Sequence, residues 1–430
     1  MSVADPHDSK DAASAAADPP RRRRLLPNTF DALHSRNFRL LLAGNTFQFT
    51  AQQMQNLVRG VLAFEITGSF TALGFMALAN SVPGFLATPL GGVIADRVPK
   101  KTVIQVVQTF NALNAVLLAL LAWSGHLGYE HLAITAVLQG AVNSVMTASR
   151  HTIIQDMVGR DRLMNGISLN VSVQNLMQLV GPGLGGALVA FTGATVTFWV
   201  MSGLYAGAVM FTLRLPKVPV DGPVEVSTPA RGGGFRDLVD GLKYVAHDRT
   251  IRTHIMVNFG IVLLATPYSQ MLPGFVMEVL HKGAAEQGVL VGFSGAGALI
   301  GSLLVASYPP QNRGRLLLII ATMLALGLIA FSISTNYYVT MPIMMFVGAG
   351  ISLRMSVGQV ILQTYSEEAY RGRTVAVWMT QYSIVSFGTF AVGVIAERVG
   401  PQVAIGGMAV ALLVFVASVA LFVPRYRNLQ

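Results

Sequence analysis

The chain has 430 residues, 53% of them hydrophobic and only 12% charged, with a formal net charge of +10. A soluble domain carries about 25% charged residues, so a water-exposed globule of this length is excluded and lipid must solvate much of the surface. Cysteine is absent, which excludes disulfide frameworks and thiolate metal or redox sites.

The first 35 residues are rich in Ala, Asp and Pro and contain Arg21 to Arg24 in a row, with no apolar stretch of the kind a cleavable signal needs. Residues 1–35 are therefore expected to form a disordered cytoplasmic tail. A membrane span needs about 20 mostly apolar residues. Such stretches follow near 38–64, 70–95, 102–123, 131–153, 163–191 and 194–215, and again near 251–279, 286–307, 315–334, 338–364, 374–396 and 402–423. The runs are continuous rather than alternating, so helices are expected and not barrel strands. Between the two sets, 216–250 holds Pro216, Pro219, Pro223, Pro229 and the run Gly232 to Gly234, then an amphipathic stretch through Phe235, Leu238, Leu242 and Val245. It reads as a cytoplasmic linker between two bundles, 36–215 and 251–423, with 424–430 as a short tail.

Lys and Arg fall on alternate loops: Arg36 and Arg39, Arg97 to Lys101, Arg160 and Arg162, the linker, Arg313 and Arg315, Arg371 and Arg373, Arg425 and Arg427. The opposite loops carry little beyond Lys282 and Arg398. This bias places both termini in the cytoplasm, as expected for a multi-pass protein of the cell inner membrane. The charges mark orientation, and no nucleic-acid partner is implied.

The two halves repeat each other. Gly181, Gly186 and Gly193 recur as Gly388, Gly393 and Gly400 at an offset of 207; Gly140, Ala141 and Gln155 recur as Gly348, Ala349 and Gln363 at 208. Gly92 recurs as Gly301. A near-constant offset in corresponding spans indicates a duplicated six-helix unit.

Polar residues inside the spans are costly unless they face a cavity or a partner. In the first span Asn45, Gln48, Gln52, Gln55, Asn56 and Arg59 fall within roughly a 100° arc, and in the fourth Gln139, Asn143, Thr147 and Arg150 within about 80°. The seventh carries a looser stripe of His254, Asn258, Tyr268 and Ser269, and the tenth a face of Ser352, Ser356, Gln359 and Gln363. These residues are candidates for a substrate cavity; hydrogen bonding between helices is the competing reading for any single one. Arg354 lies opposite the tenth-span stripe, beside Gly350 and Gly358, where either a substrate contact or packing fits. Arg59 and Arg150 without a buried acid would favour polar or anionic substrates over lipophilic cations.

Three groups of residues resemble the major facilitator superfamily. Gly92, Asp96, Arg97, Lys100 and Lys101 match its signature loop after the second span, with Pro99 in place of the usual Gly. Gly181, Pro182, Gly185 and Gly186 are similar to the Gly-Pro motif of its exporters. Ile66 to Ser69, Ala148 to His151, Arg371 to Arg373 and Ala396 to Gly400 look like the branch of macrolide efflux proteins and enterobactin exporters, although Gln178 stands where that branch commonly has Arg. The resemblance implies an all-α membrane protein of twelve transmembrane helices in two pseudo-symmetric six-helix bundles, with the first, fourth, seventh and tenth helices lining a central cavity. It implies that the Asp96 loop latches one conformation and that Pro182 kinks its helix.

The expectation is a secondary active exporter of a small polar or amphiphilic molecule, siderophore or antibiotic-like, working by proton antiport and alternating access. No Asp or Glu lies deep in any span, so Glu65, at the end of the first, is the proton-coupling candidate. A lysophospholipid flippase or importer on the same fold is the alternative, and a non-transporting membrane sensor the alternative of a different class. The histidines are scattered, and no metal cluster, nucleophile or phosphate loop suggests an enzyme or a cofactor. The bilayer, the small-molecule substrate and a proton are the expected partners, and a monomer is the expected state.

Overall fold

The computed structural model describes residues 31–159, 162–216, 235–307 and 312–427, leaving out the side chains of 89–90, 92–93, 95–96, 148, 151–152, 235–239, 305–307 and 369. The expected tail and most of the linker lie outside the described residues, as do the side chain of Asp96 and Gly92.

All regular structure among the described residues is helical. The first half contains α1 (Arg36–Thr67), α2 (Phe70–Arg97), α3 (Lys100–Trp123), α4 (Tyr129–Val158) and α5 (Leu163–Leu213). After the linker helix α6 (Phe235–His247) come α7 (Arg249–Ala265), α8 (Tyr268–Glu278), α9 (Ala284–Ser307), α10 (Arg313–Ile333), α11 (Tyr337–Tyr365), α12 (Arg371–Met379), α13 (Gln381–Val399), α14 (Pro401–Phe422) and the short α15 (Pro424–Arg427). Nine segments among the described residues are long and apolar enough to cross a membrane. α5 contains two spans, and α1 and α4, which are not among the nine, are long enough to cross as well. Counted so, the spans are twelve.

Residue chemistry sets the boundaries. Ser35 opens α1, its hydroxyl accepting from Phe38 N at 3.3 Å while donating to Met157 O at 3.0 Å; a serine at this position satisfies one of the free amides of the first turn. Gly193 interrupts α5 at φ 80°, ψ 172°, and Gly400 separates α13 from α14 at φ 84°, ψ 155°. A left-handed φ favours glycine. The same turn thus recurs at the offset of the sequence repeat. Two spans expected to be continuous are not. The seventh is split into α7 and α8 at Pro267, which cannot donate to the helix ladder, and the eleventh into α12 and α13 at the tightened turn of Thr380, ψ −14°.

Small residues bring the helices of each half together. A Cβ on Gly140 of α4 would collide with Asn80 O of α2, and one on Gly348 of α11 with Ser294 O of α9, the same device in both halves. The linker helix docks on the second half: Gly241 packs on Arg373 O, and the Tyr244 ring stacks on Tyr370 at 4.4 Å.

The halves meet chiefly through α5 with α9 and α2 with α13, with smaller contacts of α1 and α2 on α8. The tightest approaches lie toward the end of the molecule remote from the termini, and the α5–α9 contact continues to mid-span, where Gly295 meets Leu179. Gly186 sits against Ala284 O and Gly288, Gly393 against Phe70 O and Gly74, and Gly60 has Pro273 at 3.2 Å from its ideal Cβ.

Candidate functional site

The polar stripe of α1 runs along the boundary between the first bundle's interior and its partner bundle. Asn56 is exposed at mid-span and donates to Gln53 Oε1 at 3.0 Å, and Gln52 is half-buried. On the second bundle Gln359 is exposed toward the terminal end of α11, six residues before Tyr365. An exposed amide at the depth of Asn56 cannot face hydrocarbon without a large penalty. Asn56 lies below the close approaches that shut the remote end, and Gln359 lies nearer the terminal end.

Turning about 100° round α1, the stripe enters the first bundle. Gln55 Oε1 accepts from Gln139 Nε2 at 2.7 Å and from Tyr205 OH at 2.8 Å. Gln139 Nε2 also reaches Asn111 Oδ1 at 3.4 Å, and Asn111 Nδ2 donates to Asn143 Oδ1 at 3.0 Å. Asn45 donates to Asn170 Oδ1 at 2.7 Å. Gln48 is fully buried with neither amide atom hydrogen-bonded. Arg150 lies over the Phe49 ring, 4.5 Å from its centroid, with Nη2 3.3 Å from Met146 Sδ. Arg59 is buried beside Tyr205, which lies within electrostatic reach of both arginines.

Asn111 and Tyr205 were not among the sequence candidates. The first carries a signal that could have found it: Gln105, Gln108, Asn111 and Asn114 recur every third residue of α3. Tyr205 is a lone tyrosine in an apolar span and carries none.

In the second bundle Arg354 Nη1 donates to Asn258 Oδ1 at 2.6 Å, and Asn258 Nδ2 to Gln381 Oε1 at 3.2 Å. These two candidates are brought together inside the bundle, away from the exposed Gln359. Tyr268 is buried in the core, its ring edge-on to Phe331 at 5.7 Å. His254 is likewise a core residue, bonded to Tyr426 OH and Gly358 O, each at 2.9 Å.

At the end near the termini, Lys100 pairs with Asp156 at 2.9 Å, and Lys101 Nζ donates to Leu213 O and Leu215 O. Both lysines brace loops of their own bundle, while Arg97 is exposed. In the Gly-Pro motif, the ideal Cβ of Gly181 falls 2.7 Å from Gln53 Cβ and that of Gly185 3.0 Å from Met54 Cα. Pro182 stands between these contacts inside a helix that continues past it. The motif lets α5 lie against α1 and α9 at once. Glu65, in the last turn of α1, is exposed at the remote end.

Comparison with known proteins agrees with this architecture. The chain is 25% identical over 381 residues to the multidrug efflux pump Tap of Mycolicibacterium fortuitum, covering 86% of this chain and 91% of that one. It is 20% identical over 334 residues to the staphyloferrin A transporter of Staphylococcus aureus, covering 76% and 81%. The crystal structure of the nucleoside transporter NupG shares the fold at a TM-score of 0.70 and 14% identity, over 90% of this chain and 99% of that one. The family model described as transmembrane secretion effector matches residues 28–429, and the chain belongs to that family of major facilitator superfamily membrane transporters.

Proposed function

We propose that the protein is an exporter that alternates access between its two faces, with the terminal face in the cytoplasm. The basic residues Arg97, Lys100, Lys101, Arg162, Arg313 and Arg371 gather at the end that carries the termini, which supports that orientation. The observation that carries the reading is the asymmetry of the contact between bundles. The remote end is closed by the α5–α9 and α2–α13 approaches, while Asn56, eleven residues short of the remote end of α1, and Gln359, six residues from the terminal end of α11, are exposed.

Such an arrangement supports rocking of one bundle on the other around a midplane site. A cleft between the bundles, lined by Asn56, Gln52 and Gln359, would receive a small polar or amphiphilic molecule from the cytoplasm. The multidrug efflux and staphyloferrin A transport of the relatives are in keeping with an antibiotic-like or siderophore cargo. The energy source in this reading is proton antiport, with Glu65 as the group that exchanges the proton at the outer face. The Asp96 loop is the corresponding latch at the cytoplasmic end.

Inverted membrane vesicles test direction and coupling together. An exporter accumulates its cargo in them when a proton gradient is imposed and loses that uptake when a protonophore is added. Accumulation only in right-side-out vesicles would reverse the direction and favour the importer reading. Movement of lysophospholipid but of no soluble molecule would favour the flippase reading.

A further inference from the structure

Three arginines lie inside the spans: Arg59 at 4% exposure, Arg354 at 5% and Arg150 at 9%. The ion pairs among the described residues all lie at helix ends and loops, and none involves these three. Arg354 has Asn258, and Arg150 has the Phe49 face and Met146, with only its Nε buried without a hydrogen-bond partner. Arg59 differs. Its Nε and Nη2 are buried without a hydrogen-bond partner. A desolvated guanidinium is tolerated when acceptors surround it, and its planar fork is shaped for the paired oxygens of an anion.

Arg59 also occupies a particular place. It is one turn beyond Gln55, and about 60° round α1 from the exposed Asn56. The next residue, Gly60, lies against Pro273 of α8, part of the closure at the remote end. Arg59 therefore lies along α1 between the exposed Asn56 and the closure, with its guanidinium buried beside Tyr205.

We propose that Arg59 is the subsite for an anionic group of the exported molecule, so that the substrate class is an organic anion carrying a carboxylate or catecholate. This rests on the export reading above and names its cargo. Two oxygens of the anion accept from Nε–H and Nη2–H. Arg150, toward the terminal end of α4, and Arg354, inside the second bundle, add positive potential that favours entry of anions and opposes lipophilic cations. An anion bound there lies next to the Gly60–Pro273 contact, so cargo and outer closure act on the same turn of α1.

The test uses the purified full-length chain with citrate and 2,3-dihydroxybenzoate as anionic probes and ethidium as a cation, read by thermal shift. Both anions or either one should raise the melting temperature of the wild type, and ethidium should not. Arg59→Met should weaken anion binding at least about tenfold, the loss expected of one charge-assisted contact, with Arg59→Lys in between. Without ligand, Arg59→Met should melt no lower than the wild type, because Nε and Nη2 make no bond to lose; a structural arginine would melt lower. Ethidium stabilising better than either anion, no anion binding by the wild type, or anion binding indifferent to Arg59→Met would each overturn the proposal. Anion binding that depends on Arg59, without proton-driven uptake of the same anion into inverted vesicles, would instead overturn the export reading and leave the subsite standing.

Discussion

The Glu397 carboxylate in the last turn of α13 accepts a hydrogen bond from Phe70 N at 2.7 Å, at the start of α2 in the other bundle. Thr71 N at 3.2 Å and Ser69 Oγ at 3.0 Å donate to the same oxygen. An anion is favoured at a helix N-terminus, where free N–H groups and the helix dipole point at it. The acid of one bundle thus caps a helix of the other, across the closed end. Glu278 of α8 is near enough to act on Glu397 as a like charge. Glu397→Gln should weaken closure by about 0.3–1 kcal/mol, roughly a two- to fivefold shift toward the open state. Glu278→Gln should shift it the other way. A cysteine at Asn56, in this cysteine-free chain, reports the change as its rate of labelling by a membrane-impermeant maleimide applied to the remote face.

The α5–α9 contact predicts a difference between neighbouring glycines. A methyl group at Gly186 meets Ala284 O, whereas Gly183 has its nearest neighbour at 3.9 Å. Gly186→Ala should cost about 1–3 kcal/mol as an overpacked contact, and Gly183→Ala should change little. Thermal unfolding in detergent compares them. Equal melting temperatures would mean that α5 and α9 do not approach as described.

Gln139 links three helices by its bonds to Gln55 and Asn111. Gln139→Leu leaves those acceptors underused and should destabilise the protein by about 1–2 kcal/mol, since buried polar pairs between membrane helices contribute modestly. Gln359→Leu, at an exposed position, should leave the melting temperature within about 0.5 kcal/mol of the wild type and lower transport instead. A loss of stability in the second and not the first would reverse the assignment of network and cleft.

Glu65→Gln removes the group proposed to exchange the coupling proton. Uptake into inverted vesicles should then lose its dependence on the imposed pH difference while downhill exchange of cargo continues. Unchanged pH dependence would remove Glu65 from the mechanism.

Much of the fold was legible because the bilayer leaves few solutions for an apolar chain. Run lengths marked the spans, and the turns at Gly193 and Gly400 repeat at the offset that the glycines show in the sequence. The breaks at Pro267 and Thr380 were not legible, since hydropathy continues across both. Site placement was legible only in part. Periodicity located the stripe of α1, but a stripe about 100° wide faces both a cleft and a bundle interior. Asn56 fell on the first and Gln55 on the second, a distinction set by Gln139 and Tyr205 on distant helices. The tie between Ser69 and Glu397 joins segments 328 positions apart, and only packing could bring them together.

In the export reading the bundles close at the Glu397 end and part there during transport. Spin labels on cysteines at Ile66 and Val399, both exposed at that end at 44% and 50%, measure it most directly by pulsed dipolar spectroscopy. One short distance is expected in the resting protein, with a second, longer population that grows when cargo and a proton gradient are supplied, and grows further in Glu397→Gln. A single distance unchanged by cargo, gradient and substitution would contradict it.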